Sequence, residues 1–319
     1  MTDERGEQQP DRDAIIGVVF RRSIWIGGLG AAAIGGILLT RSLLAPGSSR
    51  TVDESIVEAP RIDLEPAPEV TDVAMAFTDM ADAWGVDFER DDGARGEKLL
   101  PETVGGGVAI VDLNGDGRPE LVFIDGGDLA DTTPGERVVI YANRLDASGE
   151  TTFDRVEDAV PLIPGHGMGI AAGDVDGDRD VDLYISMVGR DRLLLNESNN
   201  DQIRFRDGSD EFGLSDDESW STAVGFGDFD GDSDLDLVGL RYVDWSPDID
   251  AAVDFRLDGI GRAYGPPTGF AGTRPFLLLN DMTEGRRRLV EVGGERGLTQ
   301  LNPETDSDEG KGLGLAIID

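Results

Sequence analysis

The chain has no cysteine, one histidine and only 6% aromatic residues among its 319 residues. Without cysteine no disulfide can staple the fold, so stability has to come from a core or from something bound. A cysteine nucleophile is excluded as well. The lone His166, in PGHGMG, reads as a turn or strand-start residue rather than a catalytic base. Lysine is confined to Lys98 and Lys311, and the formal net charge is −37. That charge speaks against nucleic acid or an anionic lipid surface as partner. Glycine clusters at 105–107 and 225–227 lack the helix and lysine of a phosphate loop, and close strand approach explains them more simply.

In excess are Asp and Glu, 65 residues against 28 Lys and Arg. Three segments share one form: GGGVAIVDLNGDGRPELVFI, GMGIAAGDVDGDRDVDLYIS and AVGFGDFDGDSDLDLVGL. Each loop sets side-chain oxygens at relative positions 1, 3, 5 and 9. These are Asp112, Asn114, Asp116 and Glu120, then Asp174, Asp176, Asp178 and Asp182, then Asp228, Asp230, Asp232 and Asp236. A backbone carbonyl at position 7, from Arg118, Asp180 and Asp234, is expected to complete each set. Alternate residues turned to one centre make an oxygen cage for a hard cation, with Ca²⁺ the best match. Carboxylates packed as closely as Asp174 to Asp182 repel by about 1–4 kcal/mol per close pair, and a bound cation turns that cost into attraction. Position 4 is glycine throughout (Gly115, Gly177, Gly231), but at position 6 Arg179 and Ser233 replace Gly117. A less comfortable backbone is expected there, which would leave the first loop the best formed.

An EF-hand also opens with oxygens at positions 1, 3 and 5, but its bidentate Glu at position 12 is missing, since Phe123, Ile185 and Gly239 stand there. The flanks, Val108 to Val111 and Leu121 to Ile124 in the first copy, read as short buried strands instead of helices. The loops open at 112, 174 and 228, a period somewhat above the ~40–50 residues of a four-stranded propeller blade. Each loop hairpin is followed by two more strand candidates: Val138 to Ala142 and Thr152 to Val156, Leu193 to Asn196 and Ile203 to Arg206, Phe276 to Asn280 and Leu289 to Val292. The fold class expected is all-β, with propeller blades over 76–319.

The DxDGD loops, the recurrent YxN or LLLN strand and the closing F-x-[DE]/E-x-G-L tracts resemble FG-GAP/VCBS repeats, the blade type of integrin α-subunit heads. More narrowly, FTDMADAWGV, GARGEKLLPETVGGGVAIVDLNGDG, YVDWSPDIDAAVDFRLDGIGRAYGPPTGFAGTRPFLLLND and GKGLGLAIID resemble the bacterial relatives of cartilage acidic protein 1. Those relatives typically carry a C-terminal ASPIC/UnbV module. Asp319 stands where position 1 of a fourth loop would be, so further blades and such a module are expected beyond it.

Toward the other end, 24–44 opens with the uncharged apolar run IWIGGLGAAAIGGILLT between Arg21-Arg22 and Arg41. Its length is near the lower limit for a bilayer span, and a signal anchor is favoured over a cleaved signal peptide because Pro46 directly follows Ala45. Residues 1–23 would then be cytoplasmic, 45–75 an extended Pro-rich linker, and the propeller periplasmic or extracellular. One segment departs from the repeat. Between Tyr242 and Thr273 an insertion holds Tyr242, Trp245, Phe255, Tyr264 and Phe270 beside Arg256 and Arg262. It suits a recognition surface, or aromatics covering a blade edge.

The functional expectation is a membrane-anchored, Ca²⁺-binding module that engages a protein or glycan outside the cytoplasm. The alternative is an enzyme or enzyme-associated module acting on polysaccharide, with its catalytic part in the insertion 242–273 or beyond the C-terminal residue. No catalytic constellation stands out in the residues themselves.

Overall fold

The computed structural model describes residues 76–318 apart from 132, 200, 201, 217, 284, 300, 303–306 and 309. The expected cytoplasmic segment, anchor and linker, and Asp319, lie outside the described residues. Among the described residues no helix is long and apolar enough to cross a membrane.

The chain is mostly β and repeats one four-stranded antiparallel meander. Blade 1 runs β1 (Val108–Val111), β2 (Glu120–Ile124), β3 (Val138–Leu145) and β4 (Thr151–Val156), preceded by a short helix α1 (Ala81–Trp84). Blade 2 runs β5 (His166–Gly173), β6 (Asp182–Gly189), β7 (Arg192–Asn196) and β8 (Phe205–Asp207). Blade 3 begins with β9 (Ser219–Gly227) and β10 (Asp236–Arg241). The insertion follows, carrying helix α2 (Pro247–Val253) and the hairpin β11 (Arg256–Leu257) and β12 (Gly261–Arg262). The blade closes with β13 (Phe276–Thr283) and β14 (Arg286–Glu291). Blades 2 and 3 are stitched where β6 and β9 meet, Val188 opposite Trp220 and Gly189 opposite Ser219. The result is a curled antiparallel array consistent with an incomplete β-propeller.

Side-chain alternation explains why the central strands read as continuous apolar runs, since they are covered on both faces, whereas β1, expected to be buried, leaves Val108 and Ile110 exposed. Along β6, Leu183, Ile185 and Met187 turn to blade 1 and pack with Val122, Ile124, Val138 and Ile140. Tyr184, one residue out of phase, turns to blade 3 and packs with Leu237, Phe276, Leu278 and Leu289. The far face of blade 1 is closed by the preceding segment, where Phe88 stacks on Phe123 at 4.8 Å and the Tyr141 hydroxyl donates to Asp87 at 2.6 Å. The inner strands β1, β5 and β9 approach closely. A Cβ on Gly107 would come within 2.9 Å of the Ile170 amide nitrogen, so glycine is required for the contact.

The insertion is a packed cap. Tyr242, Val243 and Phe270 are buried with Leu100, Met168 and Trp220, and Trp220 meets Tyr242 edge-on at 5.0 Å. Its polar centre is Asp250, 5% exposed, which accepts from the Leu100 amide at 2.8 Å and Trp245 Nε1 at 2.7 Å. The Arg262 guanidinium completes the set at 2.7 Å. Of the five aromatics, Tyr242 and Phe270 are turned inward, Trp245 and Phe255 are half-buried, and Tyr264 is exposed and donates to Glu102 at 2.7 Å.

Candidate metal centres

All three expected loops sit at the same end of their blades, between the first and second strands: β1 and β2, β5 and β6, β9 and β10. Strands, not helices, flank each one. The loops share a backbone scaffold written by their carboxylates. Position 1 folds the turn, because Asp112, Asp174 and Asp228 accept the amide of the position-4 glycine at 2.9, 2.8 and 2.7 Å. The second oxygen of each accepts the position-6 amide, at 2.8 Å from Gly117, 3.0 Å from Arg179 and 3.1 Å from Ser233. Position 6 is left-handed in every loop, with φ of 81° at Gly117, 81° at Arg179 and 78° at Ser233. The strain anticipated for the two non-glycine residues is therefore present.

Position 9 is the buried carboxylate of each loop, with Glu120 0%, Asp182 1% and Asp236 1% exposed, and in loop one Asn114 at position 3 is buried as well. Asp182 accepts the Val175 amide at 2.9 Å and the Asn196 amide at 2.8 Å. Asp236 repeats the pattern with Phe229 at 2.8 Å and Asn280 at 2.9 Å. Glu120, one methylene longer, takes the Leu113 amide at 2.8 Å, but its Oε1 faces Asn143 without closing a hydrogen bond. Burial is the main force raising the Glu120 pKa, and it pushes that of Asp182 up to about 7, with Asp176 and Asp178 adding to the rise. Asp176 and Asp230 are raised too, burial first and then the neighbouring carboxylate at position 5.

In the second and third loops the carboxylate oxygens of positions 1, 3 and 9 converge. Asp174, Asp176 and Asp182 bring one oxygen each to within 4.8 Å of one another, and Asp228, Asp230 and Asp236 do the same. Asp230 and Asp232 also gather with Asp281 of β13 on the exposed side. Asp178 and Asp232 accept the amides of Asp180 and Asp234, both at 2.9 Å, which holds position 7 in the turn. Position 5 joins positions 1 and 9 in none of the three loops, and in loop one position 3 is the amide Asn114 rather than a carboxylate. Asp116 is instead drawn to the Arg118 guanidinium at 2.6 Å, while Asn114 accepts the Asp116 amide at 3.0 Å. The first loop, expected to be the best formed, has the easiest backbone, with glycine at position 6, and an arginine holds its position-5 carboxylate.

Two kinds of residue were not picked out as functional from the sequence. Asn143, Asn196 and Asn280 end the YxN and LLLN runs, so the recurrence was visible but its use was not. Arg287 forms a two-pronged ion pair with Asp234, at 2.6 and 3.0 Å, and also approaches Gly177 of the second loop. No other blade repeats an arginine there, and nothing local in RRRLVE marks it. His166, at the start of β5, is buried, with Nδ1 2.7 Å from the Gly127 carbonyl and Nε2 3.1 Å from Arg90 Nη2. Arginine can only donate, so Nδ1 carries the proton. Burial lowers the His166 pKa to about 4.

The donor chemistry fits Ca²⁺: all-oxygen sets with one buried carboxylate per loop. Comparison with known families agrees with the architecture. Residues 112–185 match the family model of an FG-GAP-like repeat, a stretch that begins on the first residue of loop one and ends inside β6. No curated protein matches the chain.

Proposed function

We propose that residues 76–319 are a Ca²⁺-stabilised binding or adhesion module, held outside the cytoplasm by a membrane anchor at 24–44, with a protein or glycan as its ligand. The observation that carries this reading is the pair of Asp triads, 174/176/182 and 228/230/236, each with oxygens within 4.8 Å and each with one buried member. Three carboxylates so close repel one another, and a cation between them turns that cost into attraction. Asp178 and Asp232 at position 5, with the position-7 carbonyls, would complete two cages. Loop one, through Asp112, Asn114, Asp116, Glu120 and the Arg118 carbonyl, is the weaker third, since Asp116 has to leave the Arg118 guanidinium. Loops of this kind with modest affinity fill where Ca²⁺ approaches millimolar, which supports the placement outside the cytoplasm. FG-GAP repeats commonly serve as extracellular binding and adhesion modules, which supports the same role here.

Calorimetric titration of the detergent-solubilised chain with Ca²⁺ tests the metal. Uptake is expected, with one site lost in the double variant Asp176→Ala, Asp178→Ala. A folded protein that takes up no Ca²⁺ overturns the reading. Protease added to intact cells tests the topology: digestion after Arg50 with 1–23 spared is expected, and a fully protected propeller reverses it.

A further inference from the structure

At the ends of β6 and β10 remote from the cation loops, blades 2 and 3 part to leave a cleft of about 190 Å³. Blade 2 contributes Tyr184 and Asp191, and blade 3 contributes Arg241, Phe276, Leu278 and Glu291. Arg241 is unusual in so acidic a chain. Its guanidinium lies over the Phe276 ring, 5.1 Å from the centroid, its Nε is buried without a hydrogen-bond partner, and it enters no ion pair with another described residue. The two carboxylates beside it are turned elsewhere. Asp191 accepts the Tyr184 hydroxyl at 3.0 Å and the Met187 amide at 2.9 Å, and Glu291 Oε1 accepts the Gly293 amide at 2.7 Å. A donor fork and two acceptors thus border one space without having closed on each other.

We infer that this cleft binds one neutral sugar residue of a glycan. Charge decides the class. An anion would meet two carboxylates against one guanidinium, and a cation would meet Arg241 while both carboxylates are already engaged, Asp191 by the Tyr184 hydroxyl and the Met187 amide and Glu291 by the Gly293 amide. A wholly apolar group would leave Arg241 Nε without a partner, at the cost of burying it unsatisfied. A ring hydroxyl accepts from a guanidinium and donates to a carboxylate in the same stroke, so a polyol satisfies both walls while its C–H face meets the leucines that line the cleft, Leu214, Leu278 and Leu289. The volume is below that of drug-sized pockets and limits the occupant to a single ring. The inference rests on the binding-module reading and gives it a ligand class.

The test is saturation-transfer NMR on the whole Ca²⁺-loaded chain. Glucose, galactose and N-acetylglucosamine are the neutral probes, with glucuronate and glucosamine as charged comparators. At least one neutral sugar is expected to receive saturation, with binding about tenfold weaker in Arg241→Met, which keeps the stem over Phe276, and weaker in Glu291→Gln. Melting temperatures of both variants should match the wild type. No transfer to any neutral sugar, transfer untouched by both substitutions, or stronger binding of glucuronate than of glucose each overturns the cleft. Ca²⁺ uptake is measured on the same sample. Uptake without sugar binding removes the cleft and leaves the calcium module standing, whereas a folded protein without uptake removes the module.

Discussion

The side-chain amide of Asn196 donates to the Leu113 carbonyl at 2.9 Å, and so fastens blade 2 to the cation loop of blade 1. The backbone amide of the same residue holds Asp182 of its own loop at 2.8 Å. Asn280 does this one blade later, reaching the Val175 carbonyl at 2.7 Å while its amide holds Asp236 at 2.9 Å. Each asparagine is thus shared by two neighbouring loops, and the three loops are joined in series. Only an amide side chain supplies two donors in this space without a charge.

Asn280→Ala should therefore leave the buried Val175 and Leu235 carbonyls without their donor and cost about 2–3 kcal/mol. Asn143 makes one side-chain bond, to the Pro119 carbonyl at 3.1 Å, and has no preceding loop to reach. Asn143→Ala should cost less than half as much. Urea unfolding in chelator gives both values, and equal losses would refute the shared tie.

Position 6 offers a gain. Arg179 and Ser233 hold φ of 81° and 78°, a region that costs a residue with a Cβ about 1–2 kcal/mol. Arg179→Gly and Ser233→Gly keep the amide that binds Asp174 or Asp228 and remove the strain. Gly also gains freedom in the unfolded chain, so the net stabilisation expected is about 0.5–1 kcal/mol each. Thermal melts with chelator present check this, and a lower melting temperature in both variants would contradict it.

Much of the blade pattern was legible because central strands covered on both faces announce themselves as apolar runs, though the equally apolar β1 leaves Val108 and Ile110 exposed, and the ligand spacing fixed where the turns fall. Even the backbone stress at Arg179 and Ser233 followed from a missing glycine. Arg118 was counted only for its carbonyl, since spacing enumerates oxygens and does not show which carboxylate a guanidinium captures. The insertion has no period at all. Its folding depends on Asp250 meeting the Leu100 amide 150 positions away, a contact no local pattern encodes. Its aromatics alone fitted either a recognition surface or a cover, and most of them pack against the blades.

That contact makes Asp250 the point of failure of the cap. Asp250→Ala strands the Leu100 amide and Trp245 Nε1, and takes the carboxylate from Arg262, a loss of about 3–5 kcal/mol for a largely buried pair. Trypsin should then cut at Arg256 and Arg262 faster than in wild type, with a red shift of tryptophan emission from Trp220 and Trp245. Unchanged cleavage and emission would show that the cap does not depend on this carboxylate.

The buried position-9 carboxylate sets the pH response. In chelator Asp182 titrates near 7 in the folded chain against 3.8 for the free group, because burial outweighs its two backbone hydrogen bonds. Between those values the native state holds a proton that the unfolded state has released, so this group's contribution is fully present below about pH 4 and is lost as pH rises to 7. His166 acts in the opposite direction. Its folded value near 4 lies below the ordinary 6.5, so its contribution is lost as pH falls through that interval. The two overlap, and a substitution separates them. Asp182→Asn in chelator should have a shallower decline between pH 4 and 7, part of it remaining because burial pushes Asp191 up to about 6, and should keep the histidine-driven rise, whatever its overall stability. With Ca²⁺ the sign for the wild type reverses, since the ionised carboxylate is the ligand: the increment in melting temperature conferred by Ca²⁺ should grow from pH 5 to pH 8. Melting curves of both proteins across this range, with Ca²⁺ and with chelator, read all four slopes. If Asp182→Asn keeps the wild-type slope in chelator, Asp182 is not the group whose ionisation strains the metal-free loop.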